Sequence, residues 1–442
     1  MATTPADAST HRPKVPHVTQ TIAPDLTRVR RARLAVLVVF ALAGVVFSSF
    51  ASRIPDAKAA LGLSAGQLGL TLFAASCGSV LALPFAGRVA DRIGAARTVV
   101  TGMVISCLGL VFVGVAVDVF ESRPLMAAGL FFLGLGVGLW DVAMNLEGAA
   151  VERSLGKTVM PHFHAAFSGG TVLAALAGSL MSWAAVPLVP HFLGAVALTA
   201  GLGAWGVRAF LPRSVEVSTD EDSSADEDTS SGRPAKPRSA WLEPRTLMIG
   251  LVVLASAFTE GTANDWISVA FVEGHHVPNW AGVLAFAVFL SFMTLGRIVG
   301  TSLLDRYGRV PVLRVTLGMA AVGSIMVIFG NPVVAYLGTA IWGVGASLGF
   351  PVGMSASADD PKRAGARMSV VATIGYTAFI AGPPLLGFLG DHFTVLRALL
   401  VVTGMVALAM LVIPATREPA GQRPGAAPTD AEAPGADAAR AH

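Results

Sequence analysis

Twelve long apolar runs leave this chain few ways to fold. They lie at 33–52, 67–87, 98–117, 124–146, 162–183, 188–211, 246–272, 280–300, 311–330, 333–356, 367–389 and 394–414, with short polar interruptions between them. A helix needs roughly 17–25 predominantly apolar residues to cross hydrocarbon, and these runs supply that length. Barrel strands would instead show alternation over about ten residues, which is absent. A backbone in lipid must satisfy its own N–H and C=O groups, so continuous runs of this length read as helices. Charge supports the same solvent. Only 13% of residues are charged and 54% are hydrophobic, whereas a soluble domain carries about 25% charged residues. The 48 glycines fit close packing between membrane helices. The fold class is therefore all-α integral membrane protein, with twelve transmembrane helices in two pseudo-symmetric six-helix bundles.

Orientation follows from lysine and arginine, which concentrate on the cytoplasmic side. With the amino terminus inside, only Arg53, Lys58, Arg123 and Arg397 fall outside, and the other 27 of the 31 basic residues fall inside. Those include Arg28, Arg30 and Arg31 before the first helix, Arg88, Arg92 and Arg97 after the second, and Arg306, Arg309 and Arg314 after the eighth. Lys362, Arg363 and Arg367 mark the last inner loop. The expectation is a multi-pass protein of a bacterial plasma (inner) membrane with both termini cytoplasmic. The first apolar run reads as a retained helix, because the polar stretch before it lacks a leader's organisation.

Residues 33–211 and 244–414 make the two bundles, and residues 212–243 connect them. The connector contains SVEVSTDEDSSADEDTSSGRPAKPRS, too polar to bury a core, and is expected to be a disordered cytoplasmic tether. Residues 1–32 and 415–442 are expected to be disordered cytoplasmic termini.

The halves echo one another. Gly87-Arg88-Val89-Ala90-Asp91-Arg92-Ile93-Gly94 follows the second helix, and Ser302-Leu303-Leu304-Asp305-Arg306-Tyr307-Gly308-Arg309 follows the eighth. Gly134-Leu135-Gly136 in the fourth helix matches Gly343-Val344-Gly345 in the tenth. Repeated bundles around a central site are the architecture of alternating access. The duplicated Asp-Arg-x-Gly loop in a six-plus-six chain resembles the signature of the major facilitator superfamily, whose fold and transport activity the resemblance implies. In that family the loop holds charge pairs that stabilise one gate state. By the resemblance, Asp91, Arg92, Asp305 and Arg306 would do so here, with Gly87, Gly94 and Gly308 shaping the loops. Ala95 and Ala96 stand where a basic pair often follows the glycine, which implies a weaker amino-terminal gate. Arg88 and Arg309 read as anchoring charges.

Ionisable groups at membrane depth are costly and face a cavity or a partner. Asp141 lies in the fourth helix, with Asn145 one turn on and Trp140 beside it. Glu260 lies in the seventh, with Asn264 on the same face and Asp265 turned by roughly 100°. The Thr259-Glu260-Gly261-Thr262-Ala263-Asn264-Asp265 stretch invites local unwinding of the kind that lines transporter sites. Together with His164 at the start of the fifth helix, Asp141 and Glu260 resemble the sugar–proton symporter branch that includes fucose permeases. The branch has a carboxylate in helix four, a polar start to helix five and a glutamate in helix seven. It also commonly has an aspartate late in helix one, where this chain offers only Ser48, Ser49 and Ser52. Any coupled proton would therefore fall to Asp141 or Glu260, Asp141 being otherwise a helix-packing hydrogen-bonding group. His162 also sits at the mouth of helix five. Arg53 and Asp56 could form an extracellular gate or cap a helix, the cap being the preferred reading, and Pro351, Pro383 and Pro384 read as kinks.

These residues point to a small organic solute and protons as partners, in a lipid bilayer, carried by a monomer. A buried polar set suits uptake of a solute such as a sugar, while a roomy apolar cavity with one or two acids would suit export of a lipophilic compound. A receptor that binds without transport is the alternative of another class. Dispersed basic residues and a net charge of +3 argue against nucleic acid. No phosphate loop, metalloprotease or nucleophile-elbow motif with supporting context appears, and no cofactor or metal is called for. Cys77 and Cys107 lie within apolar runs and lack metal-ligand spacing.

Overall fold

A computed structural model describes residues 26–157, 159–211, 239–360 and 363–419. Within them the regular structure is helical, with twelve helices long and apolar enough to cross a membrane. In chain order these are α1 Leu26–Ala60, α2 Ala65–Ile93, α3 Ala95–Asp118, α4 Arg123–Leu155, α5 Met160–Trp183, α6 Leu188–Val207, α7 Pro244–Gly274, α8 Asn279–Tyr307, α9 Arg309–Phe329, α10 Pro332–Ser357, α11 Ala364–His392 and α12 Val395–Thr416. Large apolar side chains remain exposed around the barrel of helices, Leu108 at 66%, Leu173 at 68% and Leu411 at 76% among them. A surface of that kind is stable against lipid and not against water.

Several boundaries differ from the sequence expectation. Helix α1 begins at Leu26, so Arg28, Arg30 and Arg31 ride on its first turns instead of preceding it. Helices α2, α4 and α8 also run past their apolar runs into polar sequence, because backbone bonding continues where hydropathy stops. The connector's end is ordered: Ala240–Leu242 forms a single 3₁₀ turn that leads into α7. The rest of the connector, residues 1–25, Lys362 and residues 420–442 lie outside the described residues, and with them most of what was expected to be tether and tail.

The internal repeat is structural. Gly94 is at once the last cap of α2 and the first of α3, with φ +87°. Gly308 does the same between α8 and α9 with φ +79°. A side chain at either position would strain the backbone, which is why a one-residue corner falls on glycine. In α4, a methyl group at Gly134 would lie 2.0 Å from the Ala75 carbonyl oxygen of α2, and one at Gly136 would lie 2.3 Å from the Ser106 nitrogen of α3. In α10 the same pair recurs: Gly343 sits 2.5 Å, by that measure, from the Phe289 oxygen of α8, and Gly345 2.3 Å from the Ala320 nitrogen of α9. Each bundle thus buries its fourth helix against its second and third through two glycines.

Helices α1–α6 form one bundle and α7–α12 the other, meeting along two seams, α2 against α11 and α5 against α8. Two prolines shape the second bundle. Pro351 has no N–H to donate to the carbonyl of Ser347, and α10 breaks there into Pro332–Ala346 and Gly349–Ser357. Pro383 likewise frees the carbonyl of Phe379 inside α11, and Ser76 of α2 donates to that oxygen at 2.7 Å across the seam.

Candidate functional site

A cavity of about 1250 Å³ lies between the bundles. Its wall runs from Ser168, Thr294 and Arg297 at mid-depth to Pro161, His162, Asp305, Arg309 and Glu418 at the end that carries the Asp-Arg-x-Gly corners. At this basic end Pro161, His162, Thr301 and Asp305 are exposed. Much of the remaining wall is apolar, from Ile298, Leu304, Leu348, Phe350, Val352 and Met354.

The opposite end is tied shut. Helix α1 turns sharply after Ala51 and resumes as Ile54–Ala60. Arg53, in that turn, is 2% exposed. It donates through Nε to Asp56 Oδ2 at 2.5 Å and through Nη2 to the Val186 carbonyl at 2.6 Å, and its Nη1 lies 3.3 Å from His191 Nδ1. Asp56 Oδ1 in turn accepts from Ser182 of α5 at 3.0 Å and from Asn279 of α8 at 2.8 Å. The side chain of Arg53 makes no capping bond, so the preferred reading of a helix cap gives way to the alternative, a network at this end that reaches the second bundle. Lys58 pairs with Glu273 across the same end. Ser64 donates to Asp391 at 3.0 Å, and Ser179 to the Trp280 carbonyl at 2.8 Å.

Within the cavity the central charged feature is an ion pair. Arg297 of α8 donates through Nη2 to both oxygens of Glu260 of α7, at 3.1 and 3.0 Å. Its Nε reaches the Ser347 carbonyl, the one freed by Pro351, at 3.4 Å. Sequence reasoning had placed Glu260 but counted Arg297 among the interior-loop charges. A lone arginine ten residues before the end of a long apolar helix was the signal that it belongs at membrane depth. Helix α7 runs unbroken from Pro244 to Gly274, which corrects the expected unwinding at Glu260. Thr259 bonds back to the helix at the Ala255 carbonyl at 2.6 Å, Thr262 Oγ1 is buried with no hydrogen-bond partner among the described residues, and Gly261 takes Phe379 of α11 against its backbone.

Asp141 is exposed on α4, accepts a bond from Asn145 Nδ2 at 3.3 Å, and lies within electrostatic reach of Tyr376 on α11. The i, i+4 polar face is thus present, and it looks across the gap between bundles. Trp140 does not join it. Its side chain is fully buried, and its backbone abuts Gly102 of α3, because a residue next to Asp141 is turned about 100° away on a helix. Asn264 is half-buried with its Oδ1 unbonded, and Asp265 makes no hydrogen bond or ion pair among the described residues. His164 is exposed in the cavity wall, its ring edge-on to Phe40 at 5.3 Å. The structure therefore pairs Glu260 with Arg297, sets His164 in the same cavity wall as Arg297, and leaves Asp141 with Asn145 apart on α4.

At the basic end Gly87 is half-buried, while Asp91, Arg92, Asp305 and Arg306 are exposed. The Arg306 guanidinium lies 5.2 Å from the Tyr307 ring centroid. Arg309 is more than an anchor: its Nη1 pairs with Asp359 Oδ1 at 2.8 Å, beside Arg245 on Asp359 Oδ2 at 2.7 Å. Its backbone N–H donates to Glu418 at 2.5 Å. Arg245, Arg309, Asp359 and Glu418 thus close on one another within the second bundle, beside the cavity mouth.

The family model described as Major Facilitator Superfamily matches residues 36–376 and 284–440. An uncharacterised transporter, y4wD, of Sinorhizobium fredii is 28% identical over 86% of this chain and 96% of its own length. Among solved structures, the nucleoside transporter NupG superposes with a TM-score of 0.69 at 14% identity, covering 88% of this chain and 99% of that one. The Escherichia coli fucose:proton symporter FucP superposes with a TM-score of 0.54 at 15% identity, over 88% and 98%.

Proposed function

The chain belongs to the Major Facilitator Superfamily and is a membrane transporter of that type; on that premise we propose that it moves a small organic solute across the plasma membrane by proton-coupled alternating access. The observation that carries this reading is the asymmetry of the gap between bundles. One end is sealed by the Arg53–Asp56 network, Lys58–Glu273 and Ser64–Asp391, and the other holds a cavity reaching mid-depth. With the basic end cytoplasmic, this is an inward-facing state of a single chain. The Asp-Arg-x-Gly corners then stand at the mouth that must close when the sealed end opens.

Roles follow from partners. Glu260 is spoken for by Arg297, so a proton reaching it must first displace a guanidinium. Among the described residues Asp141 has only the amide of Asn145 as a hydrogen-bond partner, and it exchanges a proton at lower cost. Asp141 is accordingly the coupling site, and Arg297, Glu260 and His164 form the solute-facing polar set. The apolar remainder of the wall favours a second reading, export of a lipophilic compound by the same machinery.

Proteoliposomes with an internal pH dye test both. Pooled sugars and pooled lipophilic compounds are applied to wild type, Asp141→Asn and Glu260→Gln. Proton movement driven by sugars and abolished in Asp141→Asn supports solute–proton coupling in uptake. Movement with the lipophilic pool alone selects export. Proton movement that survives in Asp141→Asn removes Asp141 from the coupling role, and silence from both pools removes proton coupling.

A further inference from the structure

The ion pair at the centre of the cavity is unequal in what it leaves unspent. Both carboxylate oxygens of Glu260 are taken by one nitrogen of Arg297, Nη2. The guanidinium has five N–H donors. Nε leans on the Ser347 carbonyl at 3.4 Å, and Nη1 has no hydrogen-bond partner among the described residues. Arg297 keeps 32% of its side chain exposed, in the cavity wall. Across the cleft, His164 of α5 presents an imidazole whose one described contact is the face of Phe40, and it lies within electrostatic reach of Arg297. Unused donors therefore line the same largely apolar cavity from both bundles.

We propose that Arg297 and His164 form a docking site for the carboxylate of an organic monoanion with an apolar body, and that Glu260 is the counter-charge this anion displaces. The proposal rests on the transport reading above, names its solute class and, for that class, places the coupled proton on Glu260 instead of Asp141, because the arriving anion is what displaces the guanidinium. Two fork-shaped N–H groups match a carboxylate in the geometry that arginine provides. Charge balance dictates the rest. With the solute absent, Arg297 and Glu260 sum to zero. A bound carboxylate with Glu260 still ionised would leave one net negative charge at membrane depth, which a low-dielectric surrounding disfavours. Glu260 therefore takes one proton as the anion takes its place on Arg297, and the loaded site is neutral again. One proton moves with one monoanion, and the step carries no net charge. Because Arg297 and His164 belong to different bundles, the anion also ties the two together at mid-depth, where the cleft must narrow for the mouth to close.

Of the charged and titratable groups on the surrounding helices, Arg297 on α8 bonds to Glu260 and His164 on α5 lies within electrostatic reach of Arg297, while Tyr376 on α11 and Asp141 on α4 lie within reach of each other and Asp265 is on α7 itself. Helices α10 and α12 contribute only Tyr336 and Arg397, both toward the sealed end.

The test uses the purified full-length chain in detergent, where passive permeation of weak acids does not enter. Benzoate, 4-phenylbutyrate and octanoate are titrated against their uncharged amides, with binding read as thermal stabilisation and tryptophan fluorescence at pH 6 and pH 8. The acids bind and the amides do not, and affinity falls by up to about tenfold per pH unit in wild type, as uptake of one proton requires. Glu260→Gln keeps acid binding and loses most of that pH slope; any slope that remains belongs to His164. Arg297→Gln loses acid binding. Should that variant fail to fold, the charge-neutral pair Arg297→Gln with Glu260→Gln replaces it and is likewise silent. Amides binding as well as acids, no response to any of the three acids, or acid binding in the neutral double variant each overturns the proposal. Proton-dependent transport of uncharged solutes in the liposome assay would leave the transport reading standing while this one falls.

Discussion

Replacing Gly69 with alanine loads a spring against the sealed end alone. Gly69 lies on α2 where it crosses α11, and an added methyl carbon would sit 2.3 Å from the Pro383 carbonyl oxygen and 3.1 Å from the Gly387 Cα. Ordinary contact begins at 3.4 Å, so the helices must separate by roughly 1 Å, and the neighbour is backbone that cannot rotate away. Overpacking of this kind costs about 1–3 kcal/mol, which corresponds to a roughly 5- to 150-fold shift between two states. The same separation lengthens the Ser76–Phe379 and Ser64–Asp391 bonds, which adds to the bias. Because α2 and α11 belong to different bundles, relief comes by opening the sealed end. Spin labels at Phe120 and Val333, exposed positions at that end of each bundle, report the separation by pulsed electron–electron resonance. Gly69→Ala adds a longer-distance population that wild type lacks. Gly134→Ala, whose clash with Ala75 lies inside one bundle, lowers thermal stability without adding it. A distance distribution in Gly69→Ala identical to wild type would refute the two-bundle reasoning.

Two further outcomes follow from named ion pairs. Arg297→Gln strands the Glu260 charge. Breaking a buried pair costs 3–5 kcal/mol, and with 32% and 20% of the two side chains exposed the loss falls to about 1–3 kcal/mol. A fluorescence melt shows the drop, and Arg297→Gln with Glu260→Gln recovers most of it; no recovery in the double variant would mean that charge is not the cause. Glu243, just before α7, is held below the ordinary carboxylate value of 4.5: partial burial pushes it up, but the bonds from Arg367 and Thr246 and the charges of Arg367 and Arg363 outweigh that. A carboxylate with a depressed folded value adds stability above its unfolded value and loses it as pH falls through the folded one. The melting-temperature advantage of wild type over Glu243→Gln is thus full above about pH 4.5 and shrinks below it; an advantage that stays constant through pH 3 contradicts the pairing.

The spanning helices were legible because hydrocarbon imposes a length and a composition that water does not. The repeat was legible too, since Gly94 and Gly308, and Gly134 and Gly343, carry the same geometric duty in each half. What escaped was partnership. Arg297 reads as one more basic residue near a helix end until α7 is laid beside α8 and Glu260 is found opposite. Arg53 reads as a cap because Asp56 is three residues away, while Val186, His191 and Asn279 are more than a hundred residues distant. Trp140 was taken with Asp141 by adjacency, although neighbours on a helix point in different directions. Pro351 announced a break, but nothing in the run around it says that the carbonyl it frees meets Arg297. Helix α7 shows the reverse error: its polar stretch suggested unwinding, and the helix runs through it unbroken.

The most direct measurement asks which face of the membrane the cavity opens to. Thr301→Cys, on a background with Cys77 and Cys107 replaced by serine, puts a single thiol in the exposed wall of the cavity. A membrane-impermeant maleimide is applied to inside-out and right-side-out vesicles. An inward-facing transporter with its basic end cytoplasmic reacts in the inside-out vesicles and is shielded in the others, and Gly69→Ala added to the same chain slows the reaction as the basic end closes. Labelling confined to right-side-out vesicles would contradict the orientation, and a rate untouched by Gly69→Ala would contradict the coupling of the two ends.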